Sequence, residues 1–401
     1  MAPESGTASR GIRGSRLRAG AACCLLAACL VSACARNPLH RAAVDQLPPL
    51  QWDGNVVTVA EVAATVPSPD LLGLSQEMRD FVARYAATSS QPRQRLVNLH
   101  RAVKGAGMLD LQYDPFADGT AAEAFNRASA NCLTYAHLFV ALAREAGLDA
   151  RYQWLEVRPQ WTRMGERVAL RMHVNVLVDL PRGESFMVDI DPLQSRDIAD
   201  SHPLRDSDGA ALYHSNLAVD ALAGGDLPTA WRQSVRALQL SPAMAQLWVN
   251  LGAIYRGAGQ LQAAEDSYFR ALKLNPGDRS AMNNLVVLYA QLGREDERAY
   301  WVERVERHRE ANPFYHAWLG DNAADEGAWD EALAHYRRAL KLRPQDSRLL
   351  YAEGIIHYRR GDFDAATARI GEAIDRATLK GDIDQYRLQL EAVRREATAA
   401  L

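Results

Sequence analysis

Three prolines set a frame for the C-terminal half of the chain. Pro242, Pro276 and Pro344 are separated by 34 and 68 residues, and the same small and aromatic residues return at matching offsets between them. Residues 245–278 carry Trp248, Leu251, Gly252, Tyr255, Ala264, Tyr268, Ala271 and Pro276; residues 313–346 answer with Leu319, Gly320, Ala332, Tyr336, Ala339 and Pro344. A unit of this length is one supersecondary element, and it cannot bury its apolar face until a neighbour stacks on it. The frame runs without a gap through 211–244, 245–278, 279–312, 313–346 and 347–380, the fifth unit holding Gly354, Ala366, Ile370 and Ala373. The third unit is worn: Arg298 replaces the small residue and Glu310 stands where the proline is expected. Residues 381–401 read as a capping helix with a polar outer side.

In order and spacing these residues resemble the tetratricopeptide signature. The resemblance implies five helix pairs stacked as an all-α, right-handed solenoid, with a concave groove that takes a peptide or protein partner. Trp231, Trp248, Trp301, Trp318 and Trp329 suggest a ligand cage, but most are expected in the core, Trp248 at a signature packing position.

The N-terminus carries a different message. Arg10, Arg13, Arg16 and Arg18 precede the apolar run AGAACCLLAACLVSA, the pattern of a secretory signal too short to span a bilayer comfortably. Its end, VSAC at 31–34, resembles the lipobox of bacterial lipoproteins. This implies cleavage after residue 33, lipidation at Cys34, and attachment to the cell envelope. Ala35 in place of an acidic residue leans towards the outer membrane, facing the periplasm. Loss of residues 1–33 takes away four arginines and Glu4, so a formal charge of −3 becomes −6. A mildly acidic chain without a basic run has no electrostatic footprint for nucleic acid. No later apolar run is long enough for a transmembrane helix.

Four of the five cysteines (Cys23, Cys24, Cys29, Cys34) lie in the first 34 residues, and with Cys34 lipidated Cys132 is the only free thiol expected in the mature chain. A lone thiol in an oxidising compartment is either buried and inert or used. Residues 35–70, with LPPL and VPSPD as breakers, read as an irregular tether and lead-in; residues 71–205 read as a separate α+β domain. There, helical patterns cover 74–103, a loop with turn signals follows, and TAAEAF suggests a short helix. Cys132 then opens an apolar helix ending at Gly147. Three strand-like runs follow at 150–157, 167–180 and 185–191. In the middle run Leu170, Met172, Val174, Val176 and Val178 share one face, and Arg171, His173 and Asn175 the other, where the facing helix is expected to present the thiol.

Asn131 or Ser129 can cap the Cys132 helix, placing the thiol in the first turn, where the helix dipole favours thiolate. His137 lies about 140° round the helix and reads as a packing or surface residue. His173 is the better proton carrier, and Asp189 or Asp191, two apart on one strand face, can accept its second ring N–H. No HExxH, Walker loop, GxSxG, dinucleotide fingerprint or zinc spacing is present, so no metal or cofactor is expected.

The order helix-Cys, strand-His, strand-Asp resembles the transglutaminase-like superfamily, which is papain-related, over roughly residues 75–200. NCLTYAHLFVALAREAGLDARYQ matches its cysteine motif, HVNVLV its histidine strand and MVDIDP its aspartate strand. The resemblance implies Cys132 as nucleophile and His173 as base. An aspartate followed by proline favours Asp191; related lipoprotein-type sequences favour Asp189, towards which the reading leans, and both stay candidates. Backbone N–H groups at the helix start, beside Asn131, are expected to hold the oxyanion. Two functions follow. One is an envelope cysteine hydrolase or acyltransferase acting on amides, its substrate docked by the solenoid. The other is a catalytically idle domain in a protein-binding scaffold.

Overall fold

The computed structural model describes residues 38–157, 172–181, 183–193 and 198–399. The signal segment, Cys34, Arg171 and the run between the first two expected strands lie outside the described residues. Helix α1 (Pro38–Asp45) stands in a unit of its own; residues 47–401 form the other.

The lead-in is not the irregular tether its composition suggests. Strands β1 (Leu50–Trp52) and β2 (Asn55–Val57) form a hairpin around Asp53 and Gly54, whose φ values of 48° and 74° are those of a two-residue primed turn. Helix α2 (Val59–Thr65) follows, with Glu61 accepting from the Thr58 N–H at 3.0 Å. The order comes from residues some 200 positions away. Tyr255 donates to the Pro48 carbonyl at 2.5 Å, and the Gln260 amide donates to Pro49 (3.0 Å) while accepting from the Gln51 N–H (2.9 Å). Leu50 and Val62 are fully buried. Proline runs lack local hydrogen bonding, so these bonds are invisible from local sequence.

The α+β domain is built from α3 (Gln76–Tyr85), α4 (Pro92–Lys104), α5 (Ala121–Arg127) and α6 (Cys132–Glu145). With these pack β5 (Asp149–Val157), β6 (Met172–Leu180), β7 (Glu184–Val188) and β8 (Ile198–Leu204), an antiparallel sheet ordered β7-β6-β5-β8. Two short strands, β3 (Gln112–Tyr113) and β4 (Ser129–Ala130), pair in parallel just ahead of α6. Every residue of α6 from Leu133 to Ala143 is buried, which is why its sequence is apolar all round. The helix closes on Gly147 at φ 71°, with Leu148 N–H bonded back to Ala143.

The sheet presents its valine face to α6: Val174, Val176 and Val178 share one cluster with Leu138, Phe139 and Val140. The polar face therefore meets the helix only at its mouth, where His173 reaches the thiol, and the valine face covers the rest of it. Gln153 and Leu177, on the other face, line a cleft shared with Arg343 and Arg348 of the repeats and Asp382 of the helix that follows them. Strand β8, IADSHPL, has no alternation and was not expected. Its carbonyl at Ala199 accepts from Arg343 at 2.9 Å, and Ala199 joins the cluster of Phe314 and Ala317.

The repeats are α7 (Asp206–Ala223) with α8 (Leu227–Leu240), α9 (Ala245–Gly257) with α10 (Leu261–Leu274), and α11 (Arg279–Leu292) with α12 (Glu295–Glu310). Then come α13 (Pro313–Asp325) with α14 (Trp329–Leu342), α15 (Ser347–Arg360) with α16 (Phe363–Arg376), and the closing α17 (Lys380–Ala399). The recurring glycine sets the spacing inside a pair. A Cβ on Gly252 would lie 2.4 Å from the Tyr268 ring, and one on Gly320 would lie 2.7 Å from that of Tyr336. In the worn third unit both positions are valine, Val286 and Val302, and Trp301 is the one buried residue of α12. Trp231, Trp248 and Trp301 are buried, with the Trp248 indole donating to Pro242 at 2.9 Å, so three of the five tryptophans are core.

No linker separates the halves. Helix α7 packs so tightly on the sheet that a Cβ at Gly209 would meet the Tyr152 ring at 2.9 Å. Arg144 holds Asp206 with two bonds of 2.7 and 2.9 Å. Among the described residues no helix is long and apolar enough to cross a membrane.

Candidate active site

Antiparallel layering brings the chemistry to one end. Helix α6 starts at Cys132 and runs away from it; β5 returns; β6 begins again at the cysteine end, with His173 opposite Leu155. The imidazole and the thiol thus meet at the helix mouth. Asn131 is the N-cap, its side-chain oxygen accepting from Thr134 N–H at 2.9 Å. Its amide nitrogen donates to Asp118 at 2.8 Å, so both ends are occupied and its role is to position the helix start. Ser129 instead sits in β4, accepting from Arg127 at 3.0 Å. The Cys132 N–H is one of the donors that a helix start leaves without an intrahelical acceptor.

His173 is the hub. Its Nε2 lies 2.5 Å from Asp189 Oδ2, and the Cys132 thiol interacts with the same ring. With Nε2 taken, Nδ1 is the nitrogen left for sulfur. Burial works against the charged ring, but the bonds to Asp189 and Cys132 and their negative charge outweigh it, raising its pKa from 6.5 to about 10. The folded chain therefore holds this proton more tightly than an unfolded one. The resulting stabilisation is fully present below about pH 6.5 and is lost as the pH rises through about 10.

The two aspartates separate by burial. The Asp189 side chain is 3% exposed, and its second oxygen accepts from the Asp191 N–H at 3.2 Å. Asp191 is exposed. Asp189→Asn is expected to lower turnover of an amide substrate by about 100-fold or more, because a neutral amide cannot stabilise the imidazolium. Asp191→Asn is expected to leave turnover near wild type. Equal losses in the two variants, measured as kcat/KM, would contradict this division.

His137 is wholly buried against Tyr152, its Nδ1 2.6 Å from the phenol oxygen, and burial lowers its pKa to about 3. It packs behind the site and stays neutral at physiological pH. Asp118 was not expected: it receives Asn131 at 2.8 Å and Asn216 of α7 at 3.2 Å, tying the cysteine's cap to the first repeat. Sequence offered only its Asp-Gly turn signal, which says nothing of either partner.

Fold and site together define a class: an α+β domain with a cysteine at a helix start facing a strand histidine and a buried aspartate, set on a helical-repeat solenoid. Residues 79–188 match the model of the Transglutaminase-like superfamily. Residues 245–278 match the Tetratricopeptide repeat and 320–366 the TPR repeat. The chain carries a transglutaminase-like core fused to tetratricopeptide repeats. Photosystem I assembly protein Ycf3 from Synechococcus elongatus is 28% identical over 97 residues, which is 24% of this chain and 44% of that protein; its counterpart from Synechococcus sp. matches equally. The chain thus spans under half the length of these curated relatives. Among solved structures, MamA from Desulfovibrio magneticus RS-1 shares 16% identity over 41% of this chain and 93% of its own, with a TM-score of 0.24. YrrB, described as a TPR protein with an unusual peptide-binding site, shares 20% identity over 44% and 91%, with a TM-score of 0.23.

Proposed function

We propose that this chain is a lipid-anchored envelope protein whose Cys132, His173 and Asp189 act on amide bonds, with the repeats docking a protein or peptide partner. The observation that carries the catalytic part is the His173 imidazole held between a buried carboxylate and the only described thiol. The Cys132 thiolate attacks the amide carbonyl, forming a C–S bond, and the oxyanion is held by the Cys132 N–H. Collapse breaks the C–N bond while the His173 imidazolium gives its proton to the leaving amine. A thioester remains. Water returns an acid; a second amine gives a new amide, and in either case His173 takes the incoming proton. The tetratricopeptide match supports a protein partner, and VSAC at 31–34 supports lipidation at Cys34.

The test is an envelope preparation of wild-type and Cys132→Ala protein, incubated with a glutamine-containing protein and a biotinylated amine. Wild type is expected to form the thioester, seen as an acyl adduct on Cys132 by mass spectrometry, and to release ammonia or incorporate biotin. Ammonia alone marks a hydrolase. Neither product, with no adduct, supports the idle-domain scaffold instead.

A further inference from the structure

We propose that Phe116 is the substrate-binding platform of this site and selects an aromatic or large aliphatic side chain next to the amide that Cys132 attacks. The inference rests on the catalytic reading above and adds the class of substrate.

Phe116 is 90% exposed, the most exposed large apolar side chain among the described residues. Single exposed apolar residues are ordinary; this one stands at the tip of a turn whose backbone is fixed. Asp114, Pro115, Phe116 and Ala117 form a β-turn, closed by Ala117 N–H to the Asp114 carbonyl at 3.1 Å. Aspartate and proline occupy the positions where such turns favour them. The Phe116 N–H donates to the Asp114 side chain at 3.0 Å, which fixes the residue at the turn tip.

The turn is also bolted to the catalytic helix. Asp114 N–H donates to the Ala130 carbonyl at 3.0 Å, and Asn131 N–H donates to the Ala117 carbonyl at 3.3 Å. Arg127 holds the same Ala117 carbonyl at 3.0 Å, and Asp118 receives the cap amide. Residues on both sides of Phe116 are therefore bonded to the two residues that immediately precede Cys132. Tyr113, 48% exposed, stands at the start of the same turn, in register with Ala130. With the backbone of the turn already fixed, little further ordering of the chain is needed when a side chain stacks on its tip, which favours binding there. The neighbouring carboxylates, Asp114 bonded to the Phe116 N–H and Asp118 to the Asn131 and Asn216 amides, disfavour an acidic flanking residue.

The probes are two peptides carrying the same thiol-reactive electrophile, one with phenylalanine beside the reactive group and one with alanine. Wild-type protein is expected to label faster with the phenylalanine probe by about tenfold. Phe116→Ala should bring the two rates together, and Phe116→Tyr should keep the preference, which separates ring stacking from a general disturbance of the loop. Equal rates for both probes in wild type, or a preference that survives Phe116→Ala, overturns the proposal. Iodoacetamide labelling of wild type against His173→Ala, run alongside, reports on the catalytic reading by itself. A His173-dependent thiol without aromatic preference sinks only the platform; a thiol indifferent to His173 sinks the catalytic reading on which it rests.

Discussion

His173→Ala is expected to lower turnover of an amide substrate by about 10²–10⁴-fold and to slow alkylation of Cys132 by iodoacetamide at neutral pH. The reason is in the proton count. In the wild type the ring, with its pKa raised to about 10, stays protonated at pH 7, and its charge sits beside sulfur. Removing it takes away both the cation that favours the thiolate and the proton that the departing amine needs. Turnover should not recover at high pH, because the proton donor is still missing. Wild-type turnover should itself fall as the pH rises through about 10, where the imidazolium loses its proton. Rates measured from pH 5 to 11 on both proteins decide the matter. A variant alkylated as fast as wild type at pH 7 would mean that the ring does not act on the thiol.

Gly252→Leu should destabilise the solenoid by about 3 kcal/mol. Even the first carbon of a side chain at this position would stand 2.4 Å from the Tyr268 ring, so α9 and α10 must separate and their neighbours lose contact. Tyr268 is fully buried and cannot swing aside. Gly371 in α16 is the control, since a Cβ there meets nothing within 4 Å. Gly371→Ala is expected to stabilise by about 0.5–1 kcal/mol, the helix-propensity difference. Urea unfolding followed by circular dichroism gives both signs in one series. An unchanged midpoint for Gly252→Leu would show that glycine does not set the helix spacing.

Much of this was legible in the residues alone. The repeat boundaries could be read because each unit packs on a neighbour of the same sequence, so one spatial requirement is written five times along the chain. Cys132 and Gly147 could be read as the ends of a helix because caps and C′ glycines are local chemistry. Other features carried no such mark. Strand β8 has the polar sequence IADSHPL and is a strand because β5 offers it an edge and Arg343 holds its backbone. The lead-in looked like a tether because its partners, Tyr255 and Gln260, lie in the second repeat.

The division has one physical cause. Periodicity, capping and turn chemistry act over a few residues, and these determined the solenoid, the cysteine's helix and the valine strand from sequence by itself. Burial and pairing between segments far apart in the chain are three-dimensional facts. Only the tertiary structure decided that Asp189 rather than Asp191 meets the imidazole, that the valine face covers the helix, and that Asp118 joins the cysteine's cap to the first repeat. Two aspartates two apart on a strand are equivalent in pattern; one is enclosed beside His173 and the other is left in water.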